Sequence, residues 1–474
     1  MLFNSLDFAI FFPIFFFLYW VIFKNSIDKQ NILIVIASYL FYSFWDLRFL
    51  SLIVFSTALD YILAKRIENS QNNKYRRIFL ILSLVFNLGI LGVFKYYNFF
   101  IDNFNSAFSV LGISLNLNSL EFILPVGISF YTFQTLSYTI DVYRCKMKAS
   151  NSLIQFAAFV SFFPQLVAGP IERATNLLPQ FNIKRNFSYE KAVEGSRQIL
   201  WGLFKKVVIA DSCAQFVDVI FDNYEIYNSS TLIIGAILFA FQIYGDFSGY
   251  SDIAIGLARI LGFNLMKNFS FPYFSRDIAE FWRRWHISLS TWFKDYLYIP
   301  LGGSKGGTII KVRNIFTIFL VSGFWHGANW TFIIWGAINA ICYLPLMLAN
   351  KNRSNLQNKE LKIFSTDIFK ILLTFSITCI AWIFFRAENI FQAVNYIHRI
   401  FTDNSNGAKI HPIGLLIIIA IFILAEWLNK KSDHTLDFKN KKINTLTRWS
   451  FYTITTVLII IFFGKGNSFI YFQF

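Results

Sequence analysis

Apolar residues in this chain come in long runs, not in the alternation of a half-buried strand. The runs lie near residues 6–23, 31–46, 50–64, 78–94, 121–140, 196–221, 231–262, 311–325, 327–349, 367–385, 413–430 and 448–463. Most are roughly 16 to 25 residues long, enough for a helix to cross the ~30 Å hydrocarbon core of a bilayer. The pattern predicts an all-α fold, a polytopic transmembrane helical bundle of about 12 crossings. Two stretches fit no simple span. Residues 153–168, "LIQFAAFVSFFPQLVA", are short, contain Pro164 and run into Gly169-Pro170. Residues 270–300 mix aromatic residues with Arg276, Asp277, Glu280, Arg283, Arg284, His286, Lys294 and Asp295. Charged or irregular backbone at membrane depth survives only where protein or a water-filled cavity surrounds it, so both stretches are expected to be re-entrant or interfacial helices lining such a cavity. No repeat period or low-complexity tract interrupts the pattern, and the expectation is a single membrane-embedded domain over residues 1–474, with its core at about 121–349.

Composition agrees with the pattern. With 55% hydrophobic residues, 59 Phe and 15% charged residues, the chain carries more apolar surface than one soluble core could hide. The first run, "SLDFAIFFPIFFFLYWVIF", follows no Lys or Arg, carries Asp7 and Pro13, and lacks a small-residue cleavage site, so it reads as a retained span. The net charge of +16 raises the question of nucleic acid, but no basic soluble domain exists to bind it. Lys and Arg concentrate instead at 65–77, 141–148, 173–191, 267–313, 351–370 and 429–448, loops that can all be cytoplasmic at once. The loops at 95–120, 222–230 and 386–412 are poor in them, and an even number of crossings then places both termini outside the cytoplasm. Cys145, Cys213, Cys342 and Cys379 are scattered without metal-type spacing, which suggests neither disulfides nor a metal site.

Ionisable groups in such a chain narrow the search for chemistry, because inside a membrane they are costly and face a bundle interior or a functional cavity. Of the five histidines, His398, His411 and His434 are expected in loops as solvated surface, whereas His286 in "FWRRWHISLS" and His326 in "SGFWHGANW" sit among apolar residues. His326, between Gly323 and Gly327, is either a packing histidine or a proton acceptor, and the second reading is preferred because imidazole exchanges a proton near neutral pH. His286 is equally a site residue or a side chain beside an interfacial tryptophan belt. Arg283 and Arg284 are either snorkelling anchors or phosphate binders. Lys305, among Gly302, Gly303, Gly306 and Gly307, belongs either to a phosphate cradle or to ordinary turns. Asp246 and Asp252, six residues apart, do not share a helix face; they partner the arginines of 276–284 or tie helices together, the latter preferred.

Five stretches then resemble a known family: "ILPVGISFYTFQTLSYTIDVYR" (123–144), "FFPQLVAGPIERATNLLPQF" (162–181), "YGDFSGYSDIAIGLARILGF" (244–263), "FWRRWHISLSTWFKDYLYIPLGGSKGG" (281–307) and "SGFWHGANWTFIIWG" (322–336). Together with the terminal "GNSFIYFQF", they are similar to the membrane-bound O-acyltransferases, in particular the bacterial alginate O-acetyltransferase branch. The resemblance implies a helical fold with a thinned centre, a cytoplasmic entrance for the acyl donor and an exported hydroxyl acceptor. It puts the family's nearly invariant histidine on His326 and a second polar position on His286. It further implies acetyl-coenzyme A or another acetyl thioester as co-substrate with no tightly bound cofactor, and Arg283, Arg284 and Lys305 facing the nucleotide end of that donor. Asn329 and Trp325 become oxyanion candidates, with Asp246 and Asp252 lining the cavity. The implied acceptor is an exported polysaccharide such as alginate or peptidoglycan, reached directly or through an extracytoplasmic SGNH-type acetyltransferase partner, at the bacterial inner membrane. A transporter or channel for a glycan precursor or an ion would use the same intramembrane Asp, Arg and His, and a structural scaffold would need none of them.

Overall fold

The computed structural model describes residues 1–115, 117–120, 123–357, 365–403, 407–438, 443–464 and 469–470. Over these residues the chain is helical, with one isolated bridge between Tyr227 and Ala408. Helix starts follow from local chemistry, because each leaves backbone N–H groups that a short polar side chain can receive. Ser5, Asp46, Asp277, Asn329 and Asn389 each accept from an N–H in the first turn they precede.

Among the described residues, seven helices are long and apolar enough to cross a membrane: Leu47–Asn69, Asn73–Val110, Ser229–Ile260, Thr308–His326, Trp330–Leu348, Thr366–Arg386 and Thr445–Phe462. Leu6–Ile22 and Ile413–Leu428 are shorter apolar helices. The apolar faces confirm the setting. Thr445–Phe462 buries Thr455 alone and exposes Leu446, Trp449, Ile454, Val457, Ile460 and Ile461, a surface that water would not tolerate and lipid does. The chain is a multi-pass membrane protein. Some apolar runs took other forms. The run at 121–140 becomes Ile128–Tyr143, a helix of 16 residues buried on nearly every side. The run at 196–221 is interrupted by the π-helical segment Lys205–Ala210. The run at 78–94 extends instead, through a π-helical turn at Gly92–Tyr96, to Val110. Its polar residues do not end the helix because the returning chain satisfies them: Asn98 exchanges two hydrogen bonds with the Leu120 backbone and Asn105 two with Leu117.

Two compact units divide the chain, each assembled from separate stretches: residues 1–195 with 254–266, and residues 196–253 with 267–474. In the first, Leu47–Asn69, Asn73–Leu91 and Ile128–Tyr143 pack around a buried polar knot. Asp60 there accepts from Ser83, Asn87 and Thr139, so the one carboxylate at its centre keeps its partners without water. Leu153–Ser161 and Phe163–Leu166 form the broken, buried helix pair that Pro164 foreshadows.

In the second unit, Thr308–His326 and Trp330–Leu348 form the closest helix pair. A Cβ on Gly323 would lie 2.2 Å from the Phe332 carbonyl oxygen, and one on Gly336 2.3 Å from that of Phe319. Bare backbone at both positions lets the two helices touch, as small residues do within membranes. That contact fixes the end of the first helix, where His326 stands.

Candidate active site

The stretch 276–293 is where charge meets aromatic residues, and its architecture begins with Glu280. Asp277 caps the helix Ile278–Arg284 by accepting from Glu280 N at 2.6 Å, while the Glu280 carboxylate reaches back to Arg276 N at 2.9 Å. This resembles a capping box shifted by one residue. The same carboxylate binds Arg276 Nε at 3.1 Å and Arg284 Nη2 at 2.6 Å, each four residues away. Burial would raise the Glu280 carboxyl, but the Arg276 hydrogen bonds and the Arg284 charge prevail and hold it below the usual glutamate range. Arg283 points elsewhere, donating to Asn352 O at 2.7 Å.

After Arg284 the helix stops and the chain turns at His286, whose φ of 43° and ψ of 54° lie in the left-handed region. A non-glycine residue pays about 1–3 kcal/mol for such a conformation, and it persists because the surroundings fix it. Here they do: Ser270 N donates to Arg284 O and Ile287 N to Asn268 O, both at 2.9 Å. The turn delivers the imidazole inward. His286 is fully buried, Phe247 meets its ring edge-to-face at 4.6 Å, and its Nδ1 lies 3.1 Å from Asn268 Oδ1.

His326 arrives from the other side, as the last residue of Thr308–His326. Its ring centroid is 6.4 Å from that of His286, 4.9 Å from Trp325, 5.2 Å from Trp335 and 5.3 Å from Phe385. Forty residues apart in sequence, the two imidazoles share one aromatic wall, which Trp285 and Trp382 continue with centroids 5.1 Å apart. Two groups able to exchange protons, held in a frame of rings, suit acid–base chemistry on a substrate that enters between them.

The remaining sequence candidates separate. Trp325 lies against both histidines, with its centroid 6.1 Å from that of His286. Asn329 is committed to structure: its oxygen accepts from Thr331 N at 3.0 Å and its nitrogen donates to Glu388 O at 2.8 Å. Asp246 and Asp252 tie helices together, but with lysines in place of arginines. Lys206 Nζ bridges Asp246 and Asp211 at 2.8 and 2.9 Å, and Lys205 Nζ meets Asp252 at 2.5 Å. The arginines were unavailable because Glu280 already holds two of them. Lys305 is exposed in a turn, with Gly302 and Gly303 at positive φ. Among the described residues, no three His, Cys, Asp or Glu side chains form a metal-type cluster. Sequence reading missed Asn268, Ser288, Lys205 and Lys206. The consecutive lysines in "GLFKKVVIAD" were a visible signal, whereas Asn268 in "MKNFSF" looks like any loop asparagine.

A multi-pass helical protein with paired buried imidazoles and an aromatic wall has the makings of a membrane acyl-transfer enzyme. The chain belongs to the membrane-bound O-acyltransferase family, whose model matches residues 32–385, and it is an O-acyltransferase. It is 40% identical over 436 residues to the probable alginate O-acetylase AlgI of Pseudomonas aeruginosa, covering 89% of this chain and 81% of that protein. It is 39% identical over 390 residues to the peptidoglycan O-acetyltransferase of Helicobacter pylori, covering 77% and 72%. A weaker likeness, 26% over 285 residues, joins it to the teichoic acid D-alanyltransferase of Bacillus subtilis, covering 56% and 69%. Family membership sets the transporter and scaffold readings aside. Most of the terminal "GNSFIYFQF" stretch lies outside the described residues; Phe469 and Ile470 are buried, and Ile470 N donates to Asp246 at 2.7 Å.

Proposed function

We propose that this protein O-acetylates an exported polysaccharide, of the alginate or peptidoglycan kind, with acetyl drawn from a cytoplasmic thioester such as acetyl-coenzyme A. The observation that carries the reading is the His286–His326 pair, 6.4 Å apart within one buried aromatic frame. His326 takes the proton of the accepting hydroxyl as its oxygen attacks the thioester carbonyl. The C–S bond then breaks, and the departing thiolate receives the proton. The acceptor is the glycan itself or an extracytoplasmic SGNH-type partner that passes the group on. The protein would sit in a bacterial inner membrane with both termini outside the cytoplasm, so that donor and acceptor meet without secretion of the donor. Mass spectrometry of the exported and cell-wall polysaccharides, with and without the protein, tests the proposal: one class of O-acetyl ester is expected to disappear. An unchanged ester profile would refute it.

For the donor, Arg283 and Lys305 are better placed than Arg284, which Glu280 occupies. Arg283 Nη2 is buried without a hydrogen-bond partner, and a donor phosphate would supply one. Arg283→Ala is therefore expected to raise the KM for acetyl-coenzyme A about tenfold, the worth of one charge-assisted contact of roughly 1.5 kcal/mol, and to leave kcat nearly unchanged. A change confined to the glycan's KM would place this cation on the acceptor side.

A further inference from the structure

One wholly buried polar residue beside the histidines has no part in the scheme above. Asn268 uses its main-chain oxygen and both polar atoms of its side chain on its surroundings. Its main-chain oxygen accepts from Ile287 N at 2.9 Å. Its side-chain oxygen lies 3.3 Å from Ser288 N, 2.8 Å from Ser288 Oγ and 3.1 Å from His286 Nδ1. Its side-chain nitrogen donates to Ser251 Oγ at 3.1 Å. One residue thus grips both the backbone and the ring of the turn that His286 strains.

The chemistry of these contacts settles where a proton sits. A backbone N–H is a donor only, so the amide atom facing Ser288 N is the oxygen. The Ser288 hydroxyl, 3.4 Å from Nδ1, spends its hydrogen on the Asn268 oxygen at 2.8 Å, and an amide oxygen has no proton to give, so His286 Nδ1 must supply the hydrogen of its contact with that oxygen. A neutral imidazole carries one N–H, and the lone pair is then on Nε2. Nε2 is buried and has no hydrogen-bond partner.

We infer that Asn268 is a positioning residue that fixes His286 as the Nδ1–H tautomer and so presents Nε2 as a second proton acceptor beside His326. The inference rests on the reading that these two histidines form the acyl-transfer centre. Neutral His286 then cannot stabilise an oxyanion through Nε2, which has no hydrogen to donate. Carbonyls and carboxylates commonly orient functional histidines in this way. An amide in that position aims the ring without adding a negative charge that would raise its basicity. Among the described ring neighbours of His286, His326 titrates, and Phe247, Phe269 and Trp325 are uncharged.

The test uses the full-length protein in lipid nanodiscs with 15N-labelled histidine. The spectrum, assigned with His286→Gln, is expected to show Nδ1 protonated and Nε2 bare; the opposite tautomer would overturn the inference. In acetyl-transfer assays, Asn268→Leu is expected to lower kcat about 10–100-fold, with little change in the KM for acetyl-coenzyme A. Asn268→Asp keeps the acceptor but sets a carboxylate against Nδ1–H, which raises imidazole basicity. The acid limb of its kcat profile should therefore move up by about one pH unit or more. A folded Asp variant with the wild-type pH profile would reduce Asn268 to a stitch in the loop and refute the role. If the Asp variant fails to fold, the wild-type spectrum still decides. Full activity in His326→Ala would refute the placing of the acyl-transfer centre at these two histidines without altering the tautomer the spectrum reports.

Discussion

Replacing His326 with alanine is expected to cut acetyl transfer by about 10²–10⁴-fold, the usual worth of a positioned general base. Expression and membrane insertion should persist. The imidazole packs against Trp325, Trp335 and Phe385, so its loss opens a hole among rings. Turnover by purified protein, set beside its elution from a sizing column in detergent, checks both halves of the expectation. A folded variant with near-normal turnover would mean that another group removes the hydroxyl proton.

Lys206→Met should act in the opposite manner, on stability before catalysis. The Lys206 ammonium lies between the Asp211 and Asp246 carboxylates, and all three side chains are nearly inaccessible to solvent. Removing the cation leaves two buried carboxylates facing one another, and breaking a buried pair of this kind costs about 3–5 kcal/mol. Thermal unfolding in detergent should show a large drop in the midpoint. The double variant with Asp246→Asn should recover part of it, because the amide oxygen still accepts from Ile470 N and one negative charge is gone. Midpoints equal to wild type would show that the cluster contributes little to holding the helices together.

The sequence revealed more of the two histidines than of what holds them. Bilayer thickness imposes run length, so the long spans were legible, and ionisable residues inside apolar runs are rare enough to attract notice. The Arg276–Glu280–Arg284 ladder was legible too, since i,i+4 spacing alone brings its members together. Reading it first would have freed Asp246 and Asp252 for Lys206 and Lys205. Asn268 could not be found in this way. Its value lies in hydrogen bonds to residues 17 and 20 positions away, made by a loop whose path no periodicity records. The helical continuation to Val110 was hidden for a related reason, because the groups that satisfy Asn98 and Asn105 belong to the returning chain.

The interleaving of the two units has a consequence during biosynthesis. The first unit ends at Gly195 only to resume at Ala254, so the ribosome must make residues 196–253 of the second before completing it. Translating from there to Met266 takes about 4–14 s at 5–20 residues per second. Throughout that interval Glu172, whose buried carboxylate finally accepts from Met266 N, is in the nascent chain without that donor. Until Met266 is made, Asn176 is a donor this carboxyl already has, so the site around Glu172 is completed only some seventy residues beyond the apparent end of the first unit.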